Sequence, residues 1–226
     1  MLTEGECAQI VNNSLLSYGF THVPYPKATR DSTRLSIIDP KLSQLLWARI
    51  SSALQGDVRF VDCLKGMKLV PFGFHVSGEW TPASVNPCLR ISEYTSPSTG
   101  FLPHFDNQYC QSFMTRSVLS IIIYLNIPSG GGSTSFFTKP PSPLSEHSNI
   151  GSSGSGSSGS LLNSKEISSL STAEEIELNG GLGSYCKFSV EPEIGKCVLF
   201  RHDVLHSGDP VTDGVKYVLR TDLIFA

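Results

Sequence analysis

Apolar positions along this chain follow two different periods. Ile10, Val11, Leu15 and Tyr18 recur at helical spacing, behind Thr3-Glu4-Gly5-Glu6. That tetrapeptide is a capping box, a threonine cap with a glutamate three residues on, and Gly19 is placed to end the helix. A second helix is predicted from Asp39-Pro40, a cap followed by proline at the first helical position. Leu42, Leu45, Leu46, Arg49, Ile50 and Ala53 continue it to Gly56. From Val58 onward the period becomes that of strands, predicted at 68–74, 88–95, 117–126, 133–137, 185–190, 196–201 and 216–225. Helices first and short strands after predict a mainly β (α+β) fold, a single domain over 1–226. Residues 1–57 would supply supporting helices packed on one face of a β core at 58–226.

One stretch fits neither period. Residues 139–170 hold Pro140-Pro141-Ser142-Pro143 and then a run of Ser and Gly from 151 to 160. With few apolar residues to offset the entropy of ordering, it reads as a flexible insertion between two strands. It also explains why only 39% of the 226 residues are hydrophobic. The net charge of −3 comes without a Lys/Arg block, so no nucleic-acid partner is expected. No apolar run approaches a membrane span, and no basic-then-apolar signal opens the chain. The default expectation is therefore a cytoplasmic protein. Its six cysteines form no Cys-x-x-Cys pair and are expected as buried or free thiols.

The candidate chemistry lies in Phe101-Leu102-Pro103-His104-Phe105-Asp106-Asn107 and in the stretch 198–206. His104 and Asp106, two apart, leave the same face of an extended segment. A second histidine from a distant strand would complete two imidazoles and one carboxylate, the set that holds non-haem Fe(II) while leaving positions open. His202 and His206 both offer themselves. Their spacing of four would suit a helical zinc site, but the run before them is extended and no glutamate stands between them. His202, at a strand end, is expected to bond a carbonyl or face solvent. His22, His75 and His147 have no ligand-spaced neighbours and read as structural or surface residues. Farther on, Lys216, Val218 and Arg220 share one strand face. That face is either solvated or an anchor for a dicarboxylic cosubstrate.

Taken together, Tyr94-(x)9-His104-x-Asp106, Tyr124-Leu125-Asn126, Gly131-Gly132-x-Thr134-x-Phe136 and Phe200-(x)5-His206-(x)9-Lys216 resemble the 2-oxoglutarate/Fe(II) dioxygenases, in their prolyl 4-hydroxylase-like branch. The start of the chain, Leu2-Thr3 to Glu6-Cys7, and Arg34-Leu35-Ser36 are similar to that branch too. The resemblance implies a double-stranded β-helix, or jelly roll, with His104, Asp106 and His206 as iron ligands. It implies Lys216 as partner of the far carboxylate of 2-oxoglutarate, with Tyr124 bonding the same carboxylate and Tyr94 in the pocket. Arg220 is the alternative anchor, and Arg90, on the face of Tyr94, points either into the pocket or to a rim ion pair. Ser133 stands where the family often has an acidic residue. Implied cofactors are Fe(II), 2-oxoglutarate as cosubstrate and ascorbate as reductant. The implied activity is hydroxylation of a peptide, protein or small molecule, a prolyl residue in particular, with succinate and CO2 as co-products. The alternative is a non-catalytic β-barrel binding module with a decayed site.

Overall fold

The computed structural model describes residues 1–17, 19–55, 78–137 and 186–226. The predicted strand at 68–74, the insertion at 139–170, Gly56, His75 and His147 lie outside them.

Both predicted helices form, for the predicted reasons. In α1 (Glu4–Ser17) the Thr3 amide and hydroxyl donate to Glu6 Oε2 at 2.8 and 3.0 Å, and the Glu6 amide returns to Thr3 Oγ1 at 3.3 Å. The Gly19 amide, at φ 70°, closes the other end on Ser14 O. In α2 (Pro40–Gln55) Asp39 Oδ1 accepts the Leu42 amide at 2.9 Å. Arg49 of α2 then grips both carboxylate oxygens of Glu6, at 2.8 and 2.7 Å. One glutamate thus caps the first helix and ties it to the second.

Among the described residues fourteen strands, all antiparallel and numbered in chain order, build the jelly roll. The larger sheet runs β1 (Thr21–His22), β2 (Thr33–Ile38), β4 (Cys88–Thr95), β14 (Val215–Phe225), β7 (Thr115–Tyr124), β11 (Cys197–Arg201). To it are added β3 (Pro82–Val85), on β14, and β6 (Cys110–Ser112), on β7. The smaller sheet runs β10 (Cys186–Val190), β9 (Thr134–Phe137), β12 (His206–Gly208), β5 (Phe101–His104). A short pair, β8 (Gly130–Gly131) and β13 (Val211–Asp213), lies at one end. Residues 1–57 are therefore not helices alone. They include β2, which pairs along β4 from Thr33↔Glu93 to Ile38↔Cys88. Polar residues interrupt Thr33-Arg-Leu-Ser-Ile-Ile38, and only the partner strand makes them extended.

Alternation along the strands gives the larger sheet two unlike faces. Leu89 and Ile91, Leu119, Ile121 and Ile123, and Leu219 and Leu223 pack with Leu46 and Ile50 of α2 in the main apolar core. Each such side chain contributes about 1.5–3 kcal/mol by leaving water. The residues between them turn to the smaller sheet: Arg90, Ser92 and Tyr94 on β4, Ser120, Ile122 and Tyr124 on β7, and Lys216, Val218, Arg220 and Asp222 on β14. Apolar members of this second face, with Phe136, Val198 and Phe200, form a smaller core. Its charged members line a cavity.

The Glu6–Arg49 bridge makes a pH prediction. Arg49 and the Thr3 amide hold the Glu6 carboxyl down at about 2, from an ordinary 4.5. A depressed carboxyl stabilises fully above the unfolded value and loses that contribution as pH falls toward the folded one. Glu6→Gln should therefore lower the melting temperature at pH 7. The gap to wild type should narrow between pH 4.5 and pH 2, and a pH-independent gap would contradict this account.

Candidate functional site

His104 ends β5, Asp106 follows two residues beyond the strand, and His206 opens β12. Because β12 pairs with β5 in the register His206↔His104, the two imidazoles are neighbours, with ring centres 4.3 Å apart. The Asp106 carboxylate reaches between them, Oδ1 at 3.8 Å from His104 Nε2 and Oδ2 at 3.6 Å from His206 Nε2. One donor atom from each residue lies within 4.8 Å of the others. Their protonation suits a cation. Each histidine points Nδ1 at the carbonyl two residues back, Leu102 O at 2.8 Å and Val204 O at 3.0 Å, which leaves the Nε2 lone pairs directed inward. Burial pushes both imidazoles below their usual range, His104 to about 3 with His206 adding to the effect, so both are neutral at pH 7. Burial would raise the Asp106 carboxyl, but the Arg220 guanidinium and the Ser120 hydrogen bond outweigh it and hold the group ionised. Two neutral imidazoles and one carboxylate in one cluster fit Fe(II) as the resident metal.

The larger sheet holds that carboxylate from behind. Ser120 Oγ of β7 donates to Asp106 Oδ2 at 2.5 Å, and Arg220 of β14 places Nη2 3.0 Å from Oδ1. Behind Ser120 sits His202, buried at 8% exposure, with ring nitrogens 2.9 Å from Ser120 Oγ and from Ser117 Oγ. One assignment of protons satisfies the row. The Tyr109 amide donates to Ser117, Ser117 to His202 Nε2, His202 Nδ1–H to Ser120, and Ser120 to Asp106. His202 is thus neither a ligand nor a solvent-facing residue, and it bonds hydroxyls rather than a carbonyl. Sequence reasoning missed this because its partners sit on β7, more than 80 residues earlier.

Lys216 lies at the other end of the same strand face. It is 3% exposed, and among the described residues its Nζ has no hydrogen bond or ion pair. It lies over the rings of Tyr94 and Tyr124, at 5.6 and 5.4 Å from their centres. Burial lowers its pKa to about 8 from 10.5, against the pull of Asp209 and Glu191. Gly132, at φ 82°, lets it lie there, since a Cβ would come within 3.1 Å of Lys216 Cδ. Arg220, the alternative anchor, is already engaged by Asp106 and by Asp222 at 3.3 Å. Tyr94 lines the cavity. Tyr124 does not: its hydroxyl is hydrogen-bonded to Thr134 Oγ1 at 2.7 Å and to Val190 O at 3.2 Å, and Thr134 is the group on the wall. Arg90 resolves both ways, lining the cavity and pairing with buried Asp222 at 3.6 Å. Ser133 hydrogen-bonds Glu191 at 2.8 Å, so a carboxylate stands beside that position after all. His22 is exposed on β1, and Asn107 is exposed and bonds neither site histidine.

The model of the 2OG-Fe(II) oxygenase superfamily matches residues 89–221, more than half of the chain. No curated protein matches. Among solved structures, a viral collagen prolyl hydroxylase from Paramecium Bursaria Chlorella virus-1, in complex with 2OG, is 16% identical with a TM-score of 0.50, over 100% of this chain and 92% of that one. A prolyl hydroxylase from Trichoplax adhaerens, in complex with a hypoxia inducible factor oxygen degradation domain peptide fragment, is 12% identical with a TM-score of 0.54, over 97% and 77%. At such identities the likeness is one of fold.

Two outcomes follow from the geometry. Ser120→Ala removes the hydroxyl that orients Asp106 and should weaken Mn(II) binding by about 10-fold in a calorimetric titration. Lys216→Met should stabilise the ligand-free protein by about 1–3 kcal/mol near pH 7 in urea titrations, because a buried unpaired ammonium is removed. The folded pKa of about 8 lies below the unfolded one, so the penalty is full below pH 8 and gone above 10.5. The advantage of the variant should shrink across that window; an advantage that grows there would refute the assignment.

Proposed function

The chain belongs to the 2OG-Fe(II) oxygenase superfamily, and from that premise we propose that it hydroxylates a C–H bond of a peptide, protein or small molecule, with a prolyl residue as the first substrate to test. The oxidoreductase assignment rests on the family. The observation that carries the finer reading is the shared cavity, about 350 Å³, which His104, Asp106 and His206 line together with Lys216. That volume suits a small cosubstrate and one substrate residue. The prolyl choice is supported by the fold neighbours alone, both prolyl hydroxylases.

His104, Asp106 and His206 would hold Fe(II), and the bound metal with 2-oxoglutarate would supply the oxidising chemistry, giving succinate and CO2. The protein's own part is positional. Arg220 and Ser120 keep Asp106 ionised and fixed, so the carboxylate needs no rearrangement to bind a cation. Lys216 meets the far carboxylate of the cosubstrate with a charge-assisted bond, which regains the solvation its ammonium lost on burial. Thr134 adds a hydroxyl beside it. When the single Tyr124 proton goes to Thr134 Oγ1 rather than to Val190 O, the Thr134 proton can point into the cavity. Tyr124 thereby acts through Thr134. Tyr94 closes the wall with an apolar ring and keeps water from the ammonium. Ascorbate is proposed only as the external reductant that keeps iron ferrous. The reading of a decayed binding module gains nothing from a donor set in which every position is intact.

Purified protein given Fe(II), 2-oxoglutarate, ascorbate and oxygen should release succinate, slowly alone and faster with a prolyl peptide substrate. His206→Ala should cut that release by about 100-fold or more. Absence of succinate in every substrate mixture, joined to absence of Mn(II) or 2-oxoglutarate binding by calorimetry, would defeat the proposal.

A further inference from the structure

The cavity carries more positive charge than the cosubstrate accounts for. Among the described residues, Lys216, Arg220, Arg90, Arg34 and Arg30 line it, against the carboxylates of Asp106 and Asp222. Fe(II) and the 2-oxoglutarate dianion would cancel each other, so the excess persists in the loaded enzyme. Arg220 is matched by Asp106 and Asp222, and Lys216 is left for the cosubstrate. Three guanidiniums remain. Arg90 touches Asp222 only at 3.6 Å, and its buried Nη1 has no hydrogen-bond partner. Among the described residues Arg30 has only neutral partners, Ser32 and Ser92 hydroxyls at 2.9 Å, and it lies over the Phe101 ring at 4.6 Å. Arg34 makes no side-chain hydrogen bond or ion pair with a described residue, and its Nε is buried without an acceptor. Burial pushes Arg34 down to about 10, and repulsion from Arg30 and Arg90 adds to it. An arrangement that crowds like charges in a partly dry cavity is costly unless an anion joins them.

Their place in the sheet separates them from the cosubstrate line. On β14 the inward residues run from Arg220, beside Asp106, to Lys216. The register sets Arg90 opposite Arg220 on β4, and Arg34 on β2 opposite Ser92, which is itself opposite Val218. Arg34 is thus two strands to the side of β14, about 10 Å at the usual strand spacing. The rings of Phe101 and of half-exposed Tyr25, 6.5 Å apart, line the same cavity.

We propose that Arg30, Arg34 and Arg90 form the recognition site for an anionic group, a carboxylate or phosphate, carried by the prime substrate beside the carbon that is hydroxylated. The inference rests on the oxygenase reading and deepens it. Arginine forks receive such anions through paired bonds, and the side wall leaves the Lys216 line free for the cosubstrate. The group comes either from an acidic residue flanking the target in a peptide or from a small free acid or phosphate.

The test is a calorimetric titration of full-length protein, first loaded with Mn(II) and saturating 2-oxoglutarate, in three arms. The probes are a capped Pro-Glu dipeptide, its capped Pro-Gln counterpart, and inorganic phosphate at matched ionic strength. In wild type the Pro-Glu probe should bind about tenfold more tightly than Pro-Gln. Arg34→Gln and, separately, Arg30→Gln should erase that preference while 2-oxoglutarate affinity stays within about twofold of wild type. That pattern supports the site and names an acidic peptide as the source. Binding of phosphate alone, with the same arginine dependence, supports the site and names a small anion. Anions that bind wild type and variants equally, or not at all, overturn it. So does an Arg34→Gln variant that loses 2-oxoglutarate as severely as Lys216→Met, because the wall would then belong to the cosubstrate. Failure of wild type to take up Mn(II) and 2-oxoglutarate in the loading step sinks the oxygenase reading and this inference with it.

Discussion

The carboxylate of Asp106 is the point on which both sheets converge. The smaller sheet sets His104 and His206 on either side of it, and the larger supplies Ser120 and Arg220 behind. An ionised carboxylate cannot stay in a mostly dry cavity without such partners. The ion pair that solves this also fixes the side chain. Spacing between the sheets, register of β12 on β5 and the inward turn of β14 must all be right for one group to be satisfied. Displacing any of them leaves a buried charge unmatched, which opposes folding as well as function.

The same economy does not extend along β14. Lys216 is buried as deeply as a core leucine, yet it lacks an ionic partner among the described residues, and burial depresses its pKa. The helix-facing side of that strand, with Leu219 and Leu223 fully buried, supplies stability that the inward side draws on. A sheet with one apolar face and one charged face is a fold that concentrates its strain at the site.

Legibility in the sequence followed the range of the interactions. Capping residues of both helices and the strand at 88–95 depend on neighbours in the chain, and these were readable. Period-two alternation also told which residues of β14 share a face. Strands β5 and β12 hold two site histidines, yet they are only four and three residues long and contain proline and glycine. Nothing local makes them extended; pairing does. Spacing alone could not say which of His202 and His206 faces the cavity. Register decides it, since β12 brings His206 opposite His104 while His202 falls in the turn between strands and folds back on β7. The tyrosine at 124 shows the same limit from another side. Its position matched a family pattern, but a hydroxyl's target is set by whatever strand lies across from it, here Thr134 of β9.

Charge illustrates how an average misleads. The whole chain carries −3, which rules against a basic surface stripe but says nothing about the sign inside a cavity. Strand alternation sorts residues by face whatever their total. Arg34, Arg90, Lys216 and Arg220 each occupy inward positions, on three strands adjacent in the sheet. Of the acidic residues on those strands, Glu93 faces the other way and bonds Tyr217, leaving Asp222 as the inward one. Cations thus gather inside an acidic protein through period and register, with no cluster in the sequence to announce them. A neutral substrate would leave that field unanswered, whereas a substrate bearing an anion would be drawn in and oriented by it before any chemistry begins.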